Sequence, residues 1–185
     1  MSRNSKVMAP PATPAPPSET QEQLQQIGRI LLEVNPSAVS IVPNQGKLML
    51  ARVLDVHDGD TVQVLVLLGG APFKLSVRVR GIDAPEITKK GETTQKEVNV
   101  SKKIRDYVRI LIPHDSLCFI VLECKDVYCG RYVGDLIIPG GERLSEHLLK
   151  IGCVKPYGGD KKNPWTMEEL EMIDSTMNQI LSQQR

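Results

Sequence analysis

The sequence predicts an α+β fold, mainly β, in which an OB-type five-stranded antiparallel barrel carries three helices. Three observations predict it. Short runs rich in Val, Leu and Ile are punctuated by glycine turns, the pattern of a small closed barrel. A helical stretch interrupts the runs after the third. Two more helical stretches follow the fifth. A chain of 185 residues allows one such domain plus extensions.

Residues 1–20 hold Pro10, Pro11, Pro14, Pro16 and Pro17 among small polar residues. That composition buries too little apolar surface to offset its ordering entropy, so a disordered tail is expected. Over residues 21–46 a short amphipathic helix and a linker are expected. Leu24, Ile27, Leu31 and Val34 recur at helical spacing, and Pro36 limits continuation. This helix packs on the domain or meets a protein partner through residues 21–34. The domain itself is expected over 47–165, with a last helix over 166–185 packing on it.

Leu48 to His57 reads as the first strand, ended by Asp58-Gly59, a tight-turn signal. Thr61 to Leu68 returns as the second, and Gly69-Gly70 turns it. In the third, Phe73, Leu75, Val77 and Val79 alternate with Lys74, Ser76, Arg78 and Arg80. Alternation places the first set on the core and points Arg78 outward. Thr93 or Thr94 caps a helix whose stripe is Val100, Ile104, Tyr107, Val108 and Leu111, and Pro113 closes it. Leu117 to Cys124 and Arg131 to Ile138 give two further strands. A short helix over Glu142–Ile151 stops at Gly152. Thr166-Met167-Glu168-Glu169 is a capping box that starts the last helix, with Leu170, Ile173 and Met177 on one face.

The formal charge of +1 excludes a global basic field, so any phosphate binding has to come from local clusters. No apolar run reaches membrane-spanning length, and residues 1–20 lack the apolar core of a secretory signal. A soluble intracellular monomer is expected. Its four cysteines are then reduced thiols, although Cys124 and Cys129 could pair across a hairpin in an oxidising compartment. Their spacing does not suit zinc.

The chemistry concentrates in Asp58-Gly59-Asp60-Thr61 and in Arg78 to Glu86, with Arg131 far downstream. Asp60 and Asp83 lie at neighbouring strand ends, where two carboxylates and the Ala84 carbonyl suit a hard cation such as calcium. Pro85 fixes the backbone before Glu86, a carboxylate placed to orient or deprotonate water. Arg78 and Arg131 offer guanidinium forks that match phosphate oxygens. Together these groups suit hydrolysis of a phosphodiester. Each also has a plainer reading: turn or loop carboxylates for the acids, strand and hairpin surface charge for the arginines.

Residues from about Leu50 to Trp165 resemble the staphylococcal (micrococcal) nuclease family. The resemblance rests on Asp58-Gly59-Asp60-Thr61, on Arg78 five positions before Asp83, on Asp83-Ala84-Pro85-Glu86 and on Gly130-Arg131 in the late hairpin. It implies an OB-type barrel with three helices and a calcium-dependent nuclease acting on DNA, RNA or both with little sequence preference. By resemblance Asp60, Asp83 and the Ala84 carbonyl bind Ca2+, Glu86 activates water, and Arg78 and Arg131 engage the scissile phosphate. Products ending in 3′-phosphate are implied. Nucleotide contacts are expected from Tyr157, Lys155 and Tyr128, and Tyr157 either stacks on a base or packs its own loop. Lys161 and Lys162 either touch flanking phosphates or solvate a loop. Two positions depart from the family pattern: Ala84 stands where many members have Thr, and Cys129 takes a usual Tyr place. The rival expectation is a catalytically inactive OB-type module that binds nucleic acid or protein.

Overall fold

Two groups of strands, separated in sequence by a helix, meet edge to edge to make the barrel. The computed structural model describes residues 18–35, 42–126, 130–159 and 162–183. Most of the proline-rich tail, Tyr128, Cys129 and Lys161 lie outside the described residues, as does any bridge to Cys129. The chain divides into two compact units, Met1–Ser40 and Ile41–Arg185.

In the first unit, α1 spans Ser18–Glu33 and so takes in the last three residues that composition assigned to the tail. Its Ile27, Ile30 and Leu31 are exposed.

The second unit contains β1 (Leu48–Val56), β2 (Thr61–Leu68), β3 (Ala71–Val79), β4 (Ile82–Asp83), α2 (Gln95–Leu111), β5 (Leu117–Lys125), β6 (Tyr132–Ile137), α3 (Leu144–Lys150), β7 (Lys155–Pro156) and α4 (Met167–Ser182). The closed barrel runs β1-β2-β3-β6-β5, with β5 returning to pair with β1. The expected antiparallel barrel is corrected at one seam: the ring is mixed, because β3 pairs with β6 in parallel. Parity supplies the reason: around a closed ring of five strands, directions cannot alternate throughout. The other neighbours are antiparallel, so the one parallel seam falls where the two strand groups meet.

Inside the barrel, Ala51, Val53, Val62, Val64, Val66, Leu75, Val77, Ile120 and Leu122 form the centre of a β-branched core. Phe73, which alternation placed in that core, is 47% exposed. Ala71 to Lys74 is exposed on both faces, so this end of the hairpin reaches past the packed interior. Gly134 permits the tightest strand contact. A Cβ there would lie 2.3 Å from the Val121 carbonyl oxygen, beside the register shift between Leu122 and Cys124.

Thr94 caps α2 by accepting from Glu97 N at 3.1 Å, and Val100, Ile104, Tyr107 and Val108 bury its inner stripe. Thr166 and Glu169 complete the capping box on α4, which buries Leu170, Ile173 and Met177. Lys96 and Lys103 both reach Asp174, at 2.6 and 2.5 Å, and clip α2 to α4. A two-residue antiparallel ladder between β4 and β7, too short for any periodicity, adds to this. It fastens the segment after α3 beside the loop that follows β3. Among the described residues no helix is long and apolar enough to cross a membrane.

Candidate functional site

The site begins at the turn between β1 and β2. His57 N donates to Thr61 O at 2.9 Å, and Val79 N donates to Asp60 O at 2.7 Å, which ties the turn to the end of β3. Gly59 is needed for close approach: a Cβ there would lie 2.8 Å from Ile104 Cγ2 and 2.9 Å from the Ala84 methyl. The turn therefore lies flat on α2 and on the loop after β4. In that position the buried Asp60 accepts from Ala84 N through Oδ2 at 3.1 Å and from Thr61 Oγ1 through Oδ1 at 3.0 Å.

Arg78 faces Thr61 across the β2–β3 pairing. It lies outside the barrel interior, yet its side chain is only 11% exposed. One guanidinium nitrogen, Nη1, pairs with Asp60 Oδ2, while Nη2 lies 3.5 Å from Asp83 Oδ1 and donates to Ile82 O at 3.1 Å. The Tyr157 ring lies 5.5 Å from the guanidinium carbon, a cation–π distance. Tyr157 is held there by its N–H, which donates to Gly81 O at 2.9 Å next to the β4–β7 ladder. Burial works against the charge on Arg78, but Asp60, with Asp83 and Asp58 behind it, more than offsets this and holds the guanidinium above its ordinary value. Burial and the nearby Asp60 push the Asp58 carboxyl up to about 6.

Arg131 joins the same cluster from the β5–β6 connection. Its Nε and Nη2 donate to Asp126 Oδ2 at 3.2 and 3.0 Å, and Nη1 donates to Thr61 Oγ1 at 3.4 Å. Thr61 thus links Arg131 to Asp60, and Asp60 to Arg78. Glu86 stands at the outer edge, its side chain 53% exposed, with Lys162 Nζ 2.8 Å from Oε1. Its backbone is fixed by α2, since Glu86 N donates to Glu97 Oε1 at 3.0 Å. A groove of about 360 Å³ opens here, lined in part by Asp83, Glu86, Glu97, Lys162, Asn163 and Trp165.

The structure thus brings together Asp60, Asp83, Ala84, Arg78, Arg131 and Tyr157, with Glu86 on the rim. Lys155 is engaged elsewhere. Its ammonium lies 4.3 Å from the Trp165 ring centre, 2.8 Å from Glu169 Oε2, and donates to Pro164 O at 3.2 Å. That lysine fastens the loop before α4. Tyr128 lies outside the described residues. Sequence reasoning assigned no role to Thr61, Asp126 or Glu97. Thr61 sits inside the Asp58-Gly59-Asp60-Thr61 motif, which is the sequence signal for its hydroxyl. Asp126 and Glu97 become partners only through the hairpin and the helix cap.

Among the described residues no three His, Cys, Asp or Glu side chains form a ready metal cluster. The donor set nevertheless fits a hard cation. Asp60 and Asp83 supply buried carboxylate oxygens, and Asp83 Oδ1 receives no hydrogen bond of good angle. Its contacts are ionic, from Lys162 Nζ at 2.8 Å and from Arg78. Calcium accepts such oxygens and completes its shell with carbonyls and water.

The fold and this cluster define an α+β barrel protein whose barrel edge carries paired buried carboxylates and two arginines. No protein-family model matches the chain, and no curated protein matches it.

Proposed function

We propose that the protein is a calcium-dependent nuclease that hydrolyses phosphodiester bonds of DNA or RNA with little sequence specificity. The observation that carries this reading is the continuous chain Arg131–Thr61–Asp60–Arg78–Asp83 at one edge of the barrel. It assembles residues that stand far apart in sequence. The motif order, which resembles that of the staphylococcal nuclease family, supports the same reading. The strand order β1-β2-β3-β6-β5 supports an OB-type barrel.

Asp60, Asp83 and the Ala84 carbonyl would hold the calcium. When bound, the ion supplies Lewis-acid polarisation of the phosphate and a more acidic water. Glu86, exposed on the groove rim with its backbone held by Glu97, accepts the proton of the attacking water. Arg78 and Arg131 donate to the non-bridging oxygens as negative charge builds on phosphorus. The water oxygen bonds to phosphorus as the bond to the 5′-oxygen breaks, the 5′-oxygen takes up a proton so that one water is split between the two products, and the phosphate stays on the 3′ side. Tyr157, already beneath Arg78, offers a face for the adjoining base. Binding through phosphates gives weak sequence preference and strong salt dependence.

A second reading is an inactive module that binds nucleic acid or protein. It is favoured by one observation: Arg78, Arg131 and Lys162 are all paired with carboxylates of the same chain. Cleavage of single- and double-stranded DNA and RNA, in calcium and in chelator, separates the two. The nuclease reading expects calcium-dependent fragments, with Glu86→Ser slowing cleavage by about 10²–10⁴-fold and Arg131→Ala slowing it strongly. Binding with no cleavage under any condition would establish the module instead, and cleavage that survives both substitutions would overturn the assigned site.

A further inference from the structure

Lys162 has a place in the site that its sequence surroundings do not suggest. Its ammonium lies 2.8 Å from Asp83 Oδ1 and 2.8 Å from Glu86 Oε1. It therefore bridges a buried candidate metal ligand and the candidate base. Asp83 Oδ1 receives no hydrogen bond of good angle, so this lysine is the principal cation on that oxygen, with Arg78 farther off at 3.5 Å. The side chain is 45% exposed. Its backbone lies between two anchored points, Tyr157 on Gly81 O and Pro164 on Lys155 Nζ. Lysine carries a compact charge on a flexible stem, so the ammonium has a path to solvent that leaves the backbone in place.

A divalent ion on Asp83 needs the lone pairs that the ammonium now engages, at about 2.3–2.6 Å for calcium. Two cations on one oxygen repel each other strongly in a partly buried site. We propose that Lys162 is a tethered counter-cation that holds Asp83 and Glu86 in the metal-free protein and must leave them for the metal to bind. The inference rests on the nuclease reading of the site. Lysine-held and metal-held forms exclude each other, so the lysine weakens the apparent metal affinity by the fraction of molecules it occupies. It also keeps Glu86 paired until the ion arrives. Lys162 is a positioning residue that acts through the two carboxylates.

The chain has a single tryptophan, and Trp165 lines the same groove as Asp83, Glu86 and Lys162. Terbium bound there is sensitised by that indole, and calcium competition then reports affinity without any cleavage assay. The full chain is compared with Lys162→Gln, Lys162→Met, Lys162→Arg and Asp83→Asn, each first shown to unfold cooperatively. Calcium affinity is expected to rise about tenfold in Lys162→Gln and Lys162→Met, and to stay near the parent value in Lys162→Arg. A merely structural lysine would leave the affinity unchanged or lower it. Parent binding that depends on Asp83, with no tightening in either neutral variant, would overturn the role of Lys162 alone. Terbium signal that persists in Asp83→Asn, or no ion binding in parent and neutral variants alike, would overturn the metal reading and the inference together.

Discussion

Asp60 and Glu86 are both carboxylates of the proposed site, but their surroundings give them opposite sensitivities. Asp60 is buried and pairs with a guanidinium that is itself nearly covered. Removing one member of a buried pair leaves the other charged and unsatisfied, so Asp60→Ala should cost about 3 kcal/mol in urea unfolding. Glu86 is half-exposed, and its only described side-chain partner is an exposed lysine. Glu86→Gln should leave stability within about 0.5 kcal/mol while removing the proposed proton acceptor. Measuring stability and cleavage on the same two variants therefore separates folding roles from chemical ones. At this scale the sequence was informative about identity and silent about partners. Asp60, Asp83, Glu86, Arg78 and Arg131 stood in recognisable spacing, and the structure gathers them at one barrel edge. Thr61 and Asp126 partner Arg131 from 70 and 5 positions away, and Lys162 reaches Glu86 across 76. The Thr61 contact follows from barrel closure, the Asp126 contact from the hairpin and the Lys162 contact from the loop before α4, none of which local patterns encode. Lys155 shows the converse, since its motif pointed to nucleotide while its charge went to Glu169 and Trp165.

Elements were legible wherever one face is buried and a turn residue marks the end. The alternation in β3 holds from Leu75 to Val79 and fails at Phe73, because period two says nothing about where the core stops. The β4–β7 ladder is too short for any periodicity, and yet it brings Tyr157 beneath Arg78. Gly59 reads in sequence as a turn residue, whereas its structural requirement is close approach to α2. Gly59→Ala should cost about 1–3 kcal/mol by overpacking and should shift the Asp60 loop, so cleavage is expected to fall along with the denaturation midpoint. The α2–α4 clip responds to pH. Lys103, then Lys96, holds the Asp174 carboxyl below its ordinary value of 3.8. A lowered folded value means stability present above the unfolded value and lost as pH falls through the folded one. Asp174→Asn should therefore cost about 1 kcal/mol at neutral pH, and the gap between parent and variant should close in unfolding curves taken well below pH 3.8.

For the whole molecule, an odd ring of strands decides the topology. Three strands form a meander, two form a hairpin, and closure requires one parallel seam, β3 on β6. Arg78 belongs to that seam, paired with Val133, and Arg131 enters β6 just before it. Barrel closure is thus what carries the second arginine to Thr61 and Asp60. Among the described residues of the second unit, the buried core cluster runs from Val42 to Met177. The proposed calcium-dependent reaction is tested most directly by incubating the full chain with single-stranded DNA in calcium or in excess EGTA, then resolving fragment sizes and 3′ ends. Fragments bearing 3′-phosphate in calcium, and intact DNA in EGTA, are the expected result. DNA left intact in calcium, or cut equally in EGTA, would contradict it.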